Sequence, residues 1–510
     1  MRAFTRQLLV VAAYGATGGS LFVPLFGLMS PLEQRIRVLI ASSSGFGLED
    51  SQVNLRWSVV SSAMSASAGL ALIPTVPLLE KLGRRLVLFQ LSAVVGIVGL
   101  LLSFLSLPLN SFWLLLVGRI LLGVTMTTMG FSSAFYVECF GETKHIGVLI
   151  MASQGFSHAY SAMGAVMAAP HLLGTERGWN WLFVLTVPPM ALVFFLGFVL
   201  PESPKHLYQT KSKVVEAEKA ARFYSANQVN WNRLKRQYDE EMRLKQLNVH
   251  EGVWRLAQSV VLKRYNRWPF LIALVASVAI AFSEGVIAEN YAVEIIATNE
   301  SEASRTVATM ANGFVVQGSG LLMHIIQALC IDYWGRRPSL LLGCWGALSG
   351  TLLLFGRHRL ASLGPSWLHT ATTAIAFAFC RNSMLFMAGA SAVIISEAAP
   401  TPVRSVCVMT AYALPLFLES LVIFAFPLAR AALGGDDGPF HLTAFLICLA
   451  CLLWLWAFVP ETRHRSVAKV AVDSRWTSDS YLEMLETTTG GQREEEKAET
   501  DPLLPYSSHA

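Results

Sequence analysis

The sequence predicts an all-α membrane protein of twelve transmembrane helices in two pseudo-symmetric six-helix bundles. Three observations lead there. Hydrophobic residues fill 54% of the 510 positions and charged residues only 14%, against about 25% charged in soluble domains. The apolar residues come in long blocks, and a helix needs about 20 residues to cross a bilayer. The polar landmarks between blocks repeat. Glu80-Lys81-Leu82-Gly83-Arg84-Arg85 returns as Asp332-Tyr333-Trp334-Gly335-Arg336-Arg337, 252 residues later. Glu138 and Glu397, each ending a block, lie 259 residues apart, and the same offset separates Pro201-Glu202-Ser203-Pro204 from Pro460-Glu461-Thr462-Arg463. A duplicated six-helix unit explains all three, and transporters built this way bind solute between the repeats.

Twelve spans follow in order: roughly 5–29, 54–79, 86–107, 111–138, 146–170, 179–200, 268–297, 307–331, 338–356, 367–396, 405–429 and 439–459. Each is helical because lipid offers no partner for free backbone groups. The first run lacks a small-residue cleavage site and reads as span 1 rather than as a signal peptide. Runs of small residues at 61–69 and 313–320 suit close helix packing. The first bundle occupies 1–200 and the second 268–459. A linker at 201–267 carries fourteen Lys/Arg against seven Asp/Glu, with amphipathic helical stretches at 213–224 and 231–247. The tail, 460–510, is polar, includes Glu494-Glu495-Glu496, and reads as mostly disordered.

The Gly-Arg-Arg element suits a tight turn, since glycine lets the chain reverse. Its arginines hold that turn in the cytoplasm, and the basic linker agrees, so both ends face the cytoplasm. Arg35, Arg37, Arg357 and Arg359 then fall in outside loops. So does Asn299-Glu300-Ser301, a glycosylation acceptor at Asn299. The seven cysteines lie inside or at the edge of apolar runs, so no structural disulfide is expected. Cys448-Leu449-Ala450-Cys451 sits within an apolar helix, not in a redox or metal setting. The net charge of +5 is spread over loops. No nucleic-acid motif, phosphate loop, zinc pattern or nucleophile triad occurs. An enzyme, an ATP-driven pump and a nucleic-acid partner are therefore not expected, nor is a metal or other cofactor.

Several motifs together resemble the major facilitator superfamily, most closely its sugar porter (facilitated glucose transporter) family, over about residues 54–465. They are the two Gly-Arg-Arg turns, Gly118-Arg119 with Gly123, Tyr136-Val137-Glu138, Gln154, Pro201-Glu202-Ser203-Pro204, Glu397 with Arg404, and Pro460-Glu461-Thr462. The resemblance implies the major facilitator fold and alternating access. It implies a small polar solute as partner, with hexose or polyol the family default. It also implies a cytoplasmic gate in each half. Arg84 and Arg85 would pair with Glu138 and Glu202, beside Glu80; Arg336 and Arg337 would pair with Glu397 and Glu461, beside Asp332 and Arg404. His145 stands where an arginine is usual. Exposed pairs contribute about 0–1 kcal/mol each, so such a gate acts as a network.

The chain also departs from the family. Span 7 carries Ala281-Phe282-Ser283-Glu284-Gly285-Val286-Ile287 where sugar porters have a Gln-Gln pair and then Gly-Ile-Asn. Residues 387–392 replace the Pro-rich, Trp-containing segment of span 10. Organic ion transporters share the Pro-Glu-Ser-Pro element, but they carry a long loop after span 1. Two alternatives stay open: an organic ion or proton-coupled transporter, and a transport-dead sensor on the same fold.

Three ionisable residues stand out inside the spans: Glu284, Arg381 and Glu419. At ~1.5 Å per residue they lie about 21–24 Å from the cytoplasmic ends and share one layer. A charge at that depth costs about 2.5–3.5 kcal/mol, which pairing offsets. Arg381 with Glu284 or Glu419 is either part of a substrate or coupling site or a static ion pair within the second half. Gln154 is either a solute contact or an interhelical hydrogen bond. His158 and His324 read as packing histidines. In the tail, Glu499-Thr500-Asp501-Pro502-Leu503-Leu504 resembles an acidic dileucine signal. Glu499, Leu503 and Leu504 would dock a clathrin adaptor and place the protein in the plasma membrane or an endosomal or lysosomal membrane.

Overall fold

The structure, a computed structural model, describes residues 2–21, 23–43, 48–140, 146–227, 229–248, 264–299, 301–362, 365–399 and 404–463. His145 and the tail residues Glu499, Leu503 and Leu504 lie outside these, as do the side chains of Gln154, Asp332 and Arg404. Every regular element among the described residues is helical. Nine helices there are long and apolar enough to cross a membrane, and the other three expected spans are 1, 5 and 8. Span 1 is a helix, Arg2–Gly18, then a 3₁₀ turn Gly19–Leu21, a π turn Val23–Gly27 and a helix Met29–Ser42. Pro24, which cannot donate to the ladder, sits in that irregular stretch. Span 8 is similarly divided, by a π turn Asn312–Gln317 between helices Glu302–Ala311 and Ser319–Tyr333. Span 5, Ile146–Met167, is continuous but carries three serines, a glutamine and a histidine.

Span 1 runs further than its sequence suggests. Arg35 and Arg37, expected in an outside loop, lie on helix Met29–Ser42. There Arg37 bonds Glu33 one turn back at 2.9 Å and reaches Asn54 of span 2 at 2.5 Å. The i,i+4 pair lets the helix continue past its apolar stretch. Arg357 is corrected in the same way. It lies on span 9, helix Arg336–Ser362, and is buried.

Packing repeats under a shift of six spans. Span 3 packs on span 4 as 9 does on 10, 1 on 5 as 7 on 11, and 3 on 6 as 9 on 12. The halves meet where span 2 crosses 11, span 5 crosses 8, and span 1 meets 7. The first two contacts exchange under the same shift, and the third maps onto itself. Away from the linker this seam is closed by Tyr291 of span 7. Its ring meets Trp57 edge-on at 6.2 Å, its hydroxyl lies 2.9 Å from that of Ser61 and donates to the Ile423 carbonyl at 2.8 Å. Ser30 of span 1 accepts from the Val293 N–H at 2.7 Å.

The linker forms helices Pro204–Gln209, Val214–Tyr224 and Trp231–Asn248. Ser203 caps the first, with proline at its first position, the arrangement that satisfies an otherwise orphaned N–H. Tyr208, Ala217 and Tyr238 form a small core between them, and Tyr224 donates to the Pro201 carbonyl at 2.6 Å. Arg6 of span 1 bonds the Phe223 carbonyl at 2.9 Å. The helices are thus seated on the linker-side end of the first half.

Candidate solute site and gates

Arg381 sits midway along span 10, helix Ser366–Ala398, with 1% of its surface exposed. Its Nη2 donates to His158 Nδ1 of span 5 at 2.9 Å, and its Nε lies 3.4 Å from Glu289 Oε1 of span 7. Arginine has no acceptor, so His158 Nδ1 accepts and the ring proton is assigned to Nε2. That nitrogen faces His324 Nε2 of span 8 at 3.0 Å, which leaves the second ring's proton on Nδ1. A hydrogen-bonded chain therefore runs Arg381 to His158 to His324, leaving and re-entering the second half through span 5. Ser161 of span 5 adds a bond to Gln317 of span 8 at 2.9 Å. Gly320 makes the close approach possible, because a Cβ there would meet the Arg381 guanidinium and the His158 ring. Arg381 Nη1, His324 Nδ1, Gln317 Nε2 and Asn382 Oδ1 are buried without a hydrogen-bond partner among the described residues. Such groups cost about 1–3 kcal/mol each when left unpaired.

This geometry corrects the expected pairing. Arg381 bonds neither Glu284 nor Glu419. Glu284 interrupts span 7 between helices Arg264–Phe282 and Gly285–Ile296, in a left-handed conformation at φ 61°. The break swings its carboxylate to span 12, where both oxygens lie 2.8–2.9 Å from His441 Nδ1. His441 Nε2 faces Arg357 Nη1 at 3.0 Å, and Arg357 Nη2 grips both Asp437 oxygens at 2.6 Å. Burial alone would raise the Asp437 carboxyl, but Arg357 and then His441 hold it below the usual carboxylate range. The tetrad ties the break in span 7 to spans 9 and 12. Glu419 lies buried on span 11 and makes no ion pair among the described residues. Glu289 is the partner that depth counting overlooked: five residues beyond Glu284, it falls past the break and on a different face. The His158–His324 pair was also missed, because histidines 166 residues apart show their contact only in three dimensions.

At the linker side the two repeats have the same detailed form. Arg84 Nη2 bonds Glu138 at 2.9 Å while its Nη1 donates to the Leu79 carbonyl at 3.2 Å. Arg336 bonds Glu397 at 3.1 Å while its Nη1 donates to the Ile331 carbonyl at 3.1 Å. Ser203 donates to Glu138 at 2.7 Å as Thr462 donates to Glu397 at 2.5 Å. Glu202 and Glu461 engage the backbone of the turns. Each accepts the backbone N–H groups of its own Gly-Arg-Arg turn, at 2.9–3.1 Å from Arg84 and Arg85 and 3.0–3.1 Å from Arg336 and Arg337. The turn opens a helix there, whose first N–H groups are otherwise orphaned and attract a carboxylate. Gly83 and Gly335 have φ of 102° and 112°, and a Cβ on either would meet that carboxylate. Burial pushes Glu202 up, opposed by the N–H groups of Ser203, Arg85 and Arg84. His206 Nδ1 accepts from Arg84 at 3.2 Å. Burial, then the charge of Arg84, lowers its pKa to about 4. Glu80 is exposed at the end of span 2, and Asn299 is exposed beyond span 7 at the opposite end of the bundle.

A sequence model for the family described as "Sugar (and other) transporter" matches residues 15–473. Facilitated glucose transporter protein 1 of Caenorhabditis elegans is 25% identical over 440 residues, which cover 84% of this chain and 82% of the relative. Human solute carrier family 2, facilitated glucose transporter member 11, is 25% identical over 435 residues, covering 84% of each. Among solved structures, the major facilitator superfamily proton:xylose symporter XylE bound to 6-bromo-6-deoxy-D-glucose matches with a TM-score of 0.71 at 17% identity, over 93% of this chain and all of that one. The inward-open xylose transporter XylE from E. coli gives 0.69 at 17% identity, with the same coverage. At that identity the structural likeness establishes the fold: twelve helices of the major facilitator type.

Proposed function

The chain belongs to the sugar (and other) transporter family, and from that premise we propose that it moves a small sugar or polyol across the membrane by alternating access. It is an integral multi-pass membrane protein and a transporter, not an enzyme. The solute would sit at the seam of the halves, within reach of Arg381, Glu289, His158 and His324, with Gln154 also on span 5 and Glu419 on span 11. The observation that carries this reading is the group of buried, partnerless polar atoms on spans 8 and 10, where span 5 of the other half meets them. Glu284 acts differently: its carboxylate bonds His441 at the bend in span 7.

The linker side is proposed to be cytoplasmic, with Asn299 outside and open to glycosylation. The Arg84–Glu138 and Arg336–Glu397 clusters are proposed gates, with Glu80, Arg85, Glu202, Asp332, Arg337, Arg404 and Glu461 in or beside them. The tail residues Glu499, Leu503 and Leu504 are a proposed adaptor-binding sorting signal. The domain division at 200 and 268 is proposed on the same footing.

A second reading, proton-coupled movement of the solute or of an organic ion, draws on the buried Arg381–Glu289 pair, whose arginine also bonds His158. Uptake into proteoliposomes from a panel of hexoses, polyols and organic acids, with and without a pH gradient, tests both. Saturable uptake of a neutral sugar or polyol is expected. Accumulation against its gradient only when the pH differs would favour coupling. Binding without flux for every solute would overturn transport.

A further inference from the structure

A groove of about 770 Å³ opens at the linker-side end of the first half. One wall is apolar and includes Phe198 and Val199 at the end of span 6. These are 63% and 71% exposed and continue a stripe along that helix through Phe195 and Leu192. Apolar surface of this extent on a spanning helix faces lipid tails. The other wall is basic, with Arg85 at the start of span 3 and Lys211, Lys213 and Lys219 on the linker.

The two acids in the lining do not cancel this charge. Glu202 is occupied by backbone N–H groups, and Glu216 is paired with Lys213. Lys211 donates only to the Lys81 carbonyl, at 3.2 Å. The side chains of Arg85 and Lys219 form no ion pair among the described residues. One further donor is buried in the wall. Arg84 occupies His206 Nδ1 as an acceptor, so the ring proton lies on Nε2, which is 98% buried with its residue and has no partner among the described residues. The groove thus joins a lipid-facing stripe to a cluster of uncommitted donors at the level where spans end.

We propose that this groove binds the headgroup of an anionic phospholipid, with its acyl chains along span 6. Lys211, Lys219 and Arg85 meet the phosphate. A soluble anion would use the donors but not the stripe. Because Glu202 and His206 also hold the Arg84 turn, a bound lipid steadies the Arg84–Glu138 latch.

The test uses the purified full chain in neutral detergent, titrated with palmitoyl-oleoyl phosphatidic acid. Phosphatidylcholine and inorganic phosphate are the comparison arms. Thermal stability is read alongside retained lipid by native mass spectrometry. Phosphatidic acid should stabilise saturably, and the double variant Lys211→Gln/Lys219→Gln should weaken apparent affinity on the order of tenfold, as expected for losing two charges at an anionic surface. Lys235→Gln, off the groove, should match the wild type. Both groove lysines are exposed, so the double variant keeps the fold, which circular dichroism verifies. Equal stabilisation by phosphatidylcholine overturns the site. Equal stabilisation by inorganic phosphate overturns the lipid, and unchanged affinity in the double variant overturns the assigned residues.

Discussion

Arg381 carries a charge to the middle of a membrane helix and finds Glu289, not the two carboxylates nearest in depth. Removing one partner of a buried pair costs about 3–5 kcal/mol, because the other is left uncompensated. Arg381→Gln and Glu289→Gln should each destabilise by that order, and the double variant by less than their sum. Denaturation of the purified variants measures this; additive losses would mean that the two side chains do not interact. His206 gives a pH signature. Its folded pKa, about 4, lies below the unfolded value of about 6.5, so the neutral ring is what folding favours. Its contribution is complete above about 6.5 and is lost as pH falls through about 4. Wild-type protein should therefore lose more thermal stability across that window than His206→Gln.

At the scale of single elements, span 7 is organised by its break. A non-glycine residue in the left-handed region costs about 1–2 kcal/mol, and Glu284 holds that conformation while bonded to His441. Glu284→Gly and Glu284→Ala both lose the carboxylate, but only alanine keeps the strain. The glycine variant should be the more stable by about 1 kcal/mol, and equal stabilities would place the break elsewhere. The Gly-Arg-Arg turns give a paired test. Gly83→Ala and Gly335→Ala each put a Cβ against a carboxylate at positive φ, so each should cost on the order of 1–3 kcal/mol. Similar losses are expected because the two turns are built alike. The turns were legible in the sequence, since glycine and paired charges announce them. The break in span 7 was not. A single Gly285 is tolerated within a membrane helix, and what holds Glu284 in place is a histidine 157 residues away.

For the whole molecule, hydropathy blocks and the repeated landmarks made the twelve-helix, two-half fold readable, and packing repeats with the same shift of six spans. The site was readable only in part. Counting residues along a helix gives depth, and it put Arg381 at mid-membrane. It gives neither rotation about the helix axis nor the offset produced by a bend, and these decide which charge meets which. For the same reason His158 and His324 looked solitary, although they bridge the halves at 3.0 Å. In the proposed function, solute crosses at this seam, using Arg381. The most direct test is the initial rate of solute uptake by wild type, Arg381→Gln and Arg381→Gln/Glu289→Gln in matched proteoliposomes, with fold and orientation verified. Saturable uptake by wild type is expected, with a loss of at least about tenfold in both variants, the size expected when one charge-assisted hydrogen bond is removed. Folded variants that transport at the wild-type rate would contradict it.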